Sequence, residues 1–227
     1  MFSTESFVDA CRAALDRDDP VEAVREAVLA ALSEGRAAID TVLGTKFKRE
    51  ADTLYSSPDL TVQRILWPPG FAGRPHEHRM WAIVGVYCGE ERNRFFERSP
   101  NGLKESGRCA LAQGQVLVLD DDAIHAVENA RRAWTAGLHV YGGDIVGAPR
   151  NAWGPDGREV PVAEDRTASG AMYQVLYDLG AESKTRLDDE ARFQATTALR
   201  DACDRERRYL TPIEARQVIV DAWESSH

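Results

Sequence analysis

The chain has 227 residues and a mass of 25.2 kDa, enough for one domain with appendages and a real core. Hydrophobic residues make up 43% and charged residues 29%, an ordinary globular composition. The formal net charge of -9 argues against nucleic acid or an anionic membrane as a partner, while a local arginine could still hold a small anionic substrate.

No apolar run reaches the roughly 18 residues needed to span a bilayer. The opening stretch, MFSTESFVDACRAALDRDD, lacks a basic n-region and an apolar h-region, so it reads as part of the folded protein. Cys11, Cys88, Cys109 and Cys203 are far apart and form no CxxC pair. They read as small buried hydrophobes in a reducing cytoplasm.

Residues 1–48 are expected to be helices packed on a β-barrel. Phe7, Ala10, Cys11, Ala14 and Leu15 recur at one-face helical spacing. Asp19-Pro20-Val21-Glu22 restarts a helix with an N-cap, a proline in the first turn and a glutamate at N3. Val21, Val24, Val28, Leu29 and Leu32 continue it as an apolar stripe.

From 49 to 153 the chain reads as that β-barrel. Candidate strands are 60–67, 81–88, 92–97, 108–112, 115–119, 123–129 and 134–141, broken by Gly, Pro, Asn and Asp. Residues 154–227 read as a Pro/Gly-rich linker and a C-terminal helical extension, with helix returning near 166. Thr211-Pro212-Ile213-Glu214 is a capping box before a last helix at 212–224.

The segment RPHEHRMW carries His76 and His78. Residues i and i+2 of a strand face the same way, so both imidazoles can converge while Glu77 faces away. Imidazole is the usual nitrogen ligand for Fe, Zn, Ni or Cu. Alone, the pair fits a solvated loop as well as a metal site.

Gly70, His76 and His78, together with Gly114, His125 and Asn129, resemble the two motifs of the cupin superfamily. The resemblance implies a double-stranded β-helix barrel, here with helical segments at both ends, and a metal held by His76, His78 and His125. Asp120 and Asp122 stand where the second motif carries Pro and Gly; both are turn residues. Many cupins add a glutamate ligand four or five residues after the second histidine. Here those positions are Ala82 and Ile83, leaving three neutral histidines.

The run from His76 to Val86, with Gly89-Glu90-Glu91, is similar to the bacterial thiol dioxygenases, cysteine dioxygenase and 3-mercaptopropionate dioxygenase. That family carries Ser-x-His-x-Tyr as a relay. Gly137-Leu138-His139-Val140-Tyr141 matches it at His139 and Tyr141, and Gly137 replaces the serine, removing one partner of His139. Arg150 stands where the 3-mercaptopropionate branch has its carboxylate-binding arginine, and Arg64 is a weaker candidate. The resemblance therefore implies an Fe(II) enzyme that oxidises a small carboxylate-bearing thiol with O2 to its sulfinate. Ni, Zn and Mn suit three histidines as well.

Ile83 stands where a cysteine–tyrosine cross-link would need its cysteine, so none is expected. Trp81 and Trp153 read as packing residues. The C-terminal helices lie outside the pattern and read as a packing or homo-oligomer surface, with a lid over the site as the alternative. Rival functions are another metal-dependent cupin enzyme (a carbon-substrate dioxygenase, isomerase or hydrolase) and a non-catalytic metal sensor.

Overall fold

The computed structural model describes residues 1–44, 51–182 and 188–225. The expected boundary at 48/49 lies outside the described residues. Three helices come first: α1 (Thr4–Ala14), α2 (Pro20–Ser33) and α3 (Gly35–Leu43). Asp19 caps α2 by accepting the Glu22 backbone N–H at 3.1 Å. In α1 the buried face is Phe7, Val8, Cys11 and Ala14, and Ala10 is exposed, so the stripe is rotated by one position from the expected one.

The strands are β1 (Ala51–Ser56), β2 (Thr61–Trp67), β3 (His76–Glu77), β4 (Ala82–Cys88), β5 (Glu90–Ser99), β6 (Gly102–Ala112), β7 (Val116–Leu119), β8 (Ile124–Glu128), β9 (Thr135–Tyr141), β10 (Asn151–Trp153) and β11 (Glu159–Pro161). Their pairing is nested. The β5–β6 hairpin is the innermost pair; β4 pairs β7, β3 pairs β8 and β2 pairs β9, all antiparallel. A long hairpin folded over on itself gives this pattern and divides into two sheets, β1-β2-β9-β4-β7 and β11-β10-β3-β8-β5-β6. The result is the double-stranded β-helix barrel, with helical segments at both ends.

In β2, β4 and β9 nearly every residue is buried, because the sheet is covered on both faces. Ile83, Leu138 and Val140 point outward into a core shared with Val24, Val28 and Leu32 of α2. Ala82, Val84, Val86 and Tyr141 point into the barrel. Glycine at 85 permits the close approach of α2, since a Cβ there would collide with Val28 and Leu32.

Two stretches differ from the sequence expectation. The connection read as a linker contains β11, which pairs with β10 at the end of the expected barrel segment and extends the second sheet past residue 153. Helix α4 (Val162–Glu182) also begins before 166. Helices α5 (Asp189–Glu206) and α6 (Pro212–Glu224) complete a cluster with its own core of Met172, Leu176, Leu199, Cys203, Ala215 and Ile219. The capping box of α6 is formed in both directions by Thr211 and Glu214. No described helix is long and apolar enough to cross a membrane.

Candidate metal centre

His76 on β3 lies directly across from His125 on β8. Cross-strand neighbours of this kind have their Cβ atoms about 5 Å apart, so the two rings share one side of the sheet. His78, two residues on, turns to the same point. His78 Nε2 lies 3.2 Å from His76 Nε2 and 3.3 Å from His125 Nε2. No other group of three or more potential ligands is found among the described residues.

The ring tautomers follow from the partners behind them. His76 Nδ1 is 3.0 Å from the Arg74 carbonyl, which can only accept, so Nδ1 carries the proton. His125 Nδ1 is 2.7 Å from Asn93 Oδ1. The Asn93 amide is oriented by its Nδ2, which donates to Glu91 Oε1 at 3.1 Å. Both histidines thus turn bare Nε2 lone pairs inward, as a metal-ligating imidazole requires. His78 Nδ1 is buried with no hydrogen-bond partner. Burial disfavours the charged ring in all three: it lowers His76 to about 4 and holds His78 and His125 well below the ordinary histidine value.

Converging lone pairs on neutral, buried imidazoles repel one another unless a cation lies between them. With metal–nitrogen bonds of about 2.0–2.1 Å, nitrogens at right angles sit about 3 Å apart, close to the spacings here. The donor set fits a divalent transition metal. Ala82 faces the barrel interior and Ile83 faces the helices, so neither adds a ligand. Glu77 points away, as its position predicts. Burial favours its neutral form, but Arg98 and Arg79 outweigh burial and hold the carboxyl below the ordinary range.

Beside the triad, β9 turns His139 and Tyr141 to the same side. The Tyr141 ring meets His78 edge-on at 5.2 Å, and its hydroxyl is 3.4 Å from His139 Nδ1. Burial pushes the Tyr141 phenol up to about 12. The position of the missing serine has a physical explanation. A Cβ on Gly137 would lie 2.9 Å from His139 Nε2, so the ring itself occupies the space a side chain would need.

Behind His139 stands Glu91, fully buried on β5, with Oε2 3.6 Å from His139 Nε2. Burial opposes its charge. The His139 imidazole, the Trp67 indole N–H at 2.7 Å and Asn93 outweigh burial and hold the carboxyl below its ordinary value. Asn93 is a site residue that no sequence motif marks, and Glu91 falls in the Gly89-Glu90-Glu91 run without a role assigned to it there. The signal for them is alternation, since both take inward positions on β5 and Arg92 turns outward.

A cavity of about 380 Å³ opens from the three histidines and is walled by His139, Tyr141, Arg150 and residues of α4 and α5. Arg150 is buried, and its Nε and Nη2 donate to the Ile145 carbonyl at 3.2 and 3.0 Å. Arg64 is not in the cavity. It is engaged on the far side of β2 by Asp52 and by the carbonyls of Leu43 and Gly44. The C-terminal helices, expected first as a packing or oligomer surface, form a wall of this cavity through Asp165, Arg166, Met172, Tyr173 and Arg200. Asn129 ties the surrounding loops together, donating to the carbonyls of Trp67, Pro68 and Ala133.

No family model matches the chain. Among solved structures, it is similar to an RmlC-like cupin family protein with a double-stranded β-helix fold from Methanocaldococcus jannaschii. That match has 10% identity and a TM-score of 0.37, covering 44% of this chain and 88% of the other. An oxalate oxidase in complex with the substrate analogue glycolate matches at 16% identity and TM-score 0.35, over 43% of this chain and 53% of the other. Peruvianin-I, a cysteine peptidase from Thevetia peruviana latex, matches at 19% identity and TM-score 0.33, over 37% and 51%. The chain thus spans about half the length of the last two. Likenesses this distant decide nothing about chemistry. The nested strand pairing alone carries the conclusion that this chain folds as a double-stranded β-helix barrel with helical segments at both ends.

Proposed function

We propose that this protein is an iron-dependent thiol dioxygenase. It would convert a small carboxylate-bearing thiol, R–SH, with O2 to the sulfinic acid R–SO2H, both oxygen atoms going to sulfur. The observation that supports it most is the shared cavity: three converging histidine Nε2 atoms, the His139–Tyr141 pair and the Arg150 guanidinium line one space. An iron(II) ion held by His76, His78 and His125 would bind the thiolate and activate O2 beside it.

The chain's own residues do the rest. Arg150 receives the substrate carboxylate, leaving its Ile145 contact to fix the guanidinium plane. Tyr141 stays protonated at neutral pH and keeps a donor in the cavity. Glu91 Oε2, 3.6 Å from His139 Nε2, would hold that ring with its Nδ1 3.4 Å from the Tyr141 hydroxyl. The helical wall would limit the water that competes for the Tyr141 proton.

The test is O2 consumption by the iron-loaded protein over a panel of small thiols, with sulfinate measured as product. Thiol-dependent uptake and sulfinate in equal amounts are expected. No uptake, with iron confirmed in the site, overturns the proposal. One observation favours a second reading, a metal-dependent cupin enzyme acting on a carbon substrate. Glu91 behind His139 gives that imidazole an anionic partner, which suits it to general-base work.

A further inference from the structure

The formal charge of the protein is -9, yet the cavity is lined by four arginines, Arg74, Arg150, Arg166 and Arg200, and by one carboxylate, Asp165. Two of the arginines are paired. Arg74 donates to Asp204 at 2.6 Å, and Arg200 donates to Asp201 at 2.9 Å. Asp165 is engaged by the Tyr209 hydroxyl at 2.5 Å, and burial pushes its carboxyl up, which weakens its charge. Among the described residues no ion pair is formed by Arg150 or Arg166.

These two guanidinium groups come from adjoining stretches, because the Arg150 carbonyl accepts the Val162 backbone N–H at 2.9 Å and Arg166 lies one turn further along α4. Arg150 precedes β10 beside the histidines, and Arg166 lies on the first turns of α4. Each repels the other: burial lowers Arg150 to about 10, and the Arg166 charge adds to that effect. Arg150 is buried and Arg166 is exposed at the open side of the same cavity, and two cations without carboxylate partners there favour a ligand that brings two negative charges. Size points the same way. A cavity of about 380 Å³ falls in the ~300–1,000 Å³ range that holds drug-sized ligands. A three-carbon thiol acid would leave most of it to water.

We propose that the ligand of this cavity is a dianion whose two anionic groups are bound by Arg150 and Arg166, and that the substrate is accordingly a thiol carrying two carboxylates. The thiol part rests on the proposed dioxygenase function; the two-anion part does not. Arg166 acts here as a specificity residue from a segment outside the barrel.

The experiment compares binding of succinate, glutarate and butyrate, none of them a thiol, by calorimetry on the full chain at known metal content. Because Arg166 is exposed and screened by water, succinate or glutarate should bind about threefold or more tightly than butyrate. Arg166→Gln should remove that preference and leave butyrate affinity unchanged, while Arg166→Lys should retain part of it. The proposal is overturned if the wild type shows no preference, if it binds none of the three, or if the preference survives in Arg166→Gln, which would assign it to the metal. Absent thiol oxidation with an intact Arg166-dependent preference would refute the dioxygenase and leave the two-anion site standing.

Discussion

Helices α1–α3 lie on the outer face of the first sheet, and α4–α6 lie over the cavity. The first group meets the sheet mainly through apolar side chains, with Val28 and Leu32 packed on Ile83, Leu138 and Val140, and Arg64 of β2 adds hydrogen bonds to the carbonyls of Leu43 and Gly44. The second group has its own core and turns a mixed surface to the cavity, Asp165, Arg166 and Arg200 beside Met172 and Tyr173. Alternation along β9 separates the two roles, because Leu138 and Val140 serve the outer core while Gly137, His139 and Tyr141 serve the site. A helix that buries its face against a sheet adds to the barrel's stability. A helix cluster with a separate core is expected to open at lower free energy than the barrel.

The contrast is broken most directly in the two cores. Leu138→Ala and Leu199→Ala each remove a fully buried side chain and should each cost about 2–5 kcal/mol. Leu138→Ala should lower the melting of the whole barrel. Leu199→Ala should remove hydrogen-exchange protection from α4–α6 first and leave protection in β2, β4 and β9. One shared transition in both variants would show that the helical wall is not an independent unit.

A smaller effect is expected within the barrel. Asn93→Ala removes the acceptor that fixes the His125 tautomer and should weaken metal affinity about 10–100-fold, read by competition with a chelator. Affinity unchanged within about twofold would mean that the carboxamide does not orient the ligand.

The smallest effect concerns acid. The Arg208 ion pair and the Thr211 cap lower the Glu214 carboxyl to about 2. A carboxyl depressed in the folded state stabilises it above its unfolded value, about 4.3, and that contribution disappears as pH falls toward 2. Circular dichroism should therefore show α6 fraying over that window in the wild type. Glu214→Gln, lacking the group that titrates, should show no pH-dependent change there from this source.

Much of the barrel is legible in the sequence because its strands are apolar runs bounded by turn residues. The strands that the sequence does not mark are those without such a run. ADTLYS in β1 pairs on one edge only and stays half-exposed. β10 and β11 are three residues each, too short to show a period. The histidines are legible because spacing at i, i+2 is itself the signal. The role of Glu91, which is marked only as part of the Gly89-Glu90-Glu91 run, and the place of Asn93 are not, because the first half of β5 is polar at buried and exposed positions alike. Arg166 is hidden for another reason. Its role depends on α4 folding back onto the cavity, and no local pattern in the sequence encodes that return.

The central claim is that His76, His78 and His125 hold one metal ion. Metal analysis of the wild type and His125→Ala, both purified without added metal and both shown to be folded, tests it directly. Close to one transition-metal ion per chain is expected in the wild type, and its loss in the variant. Equal metal content in the two proteins, or none in either after reconstitution with iron(II), would contradict it.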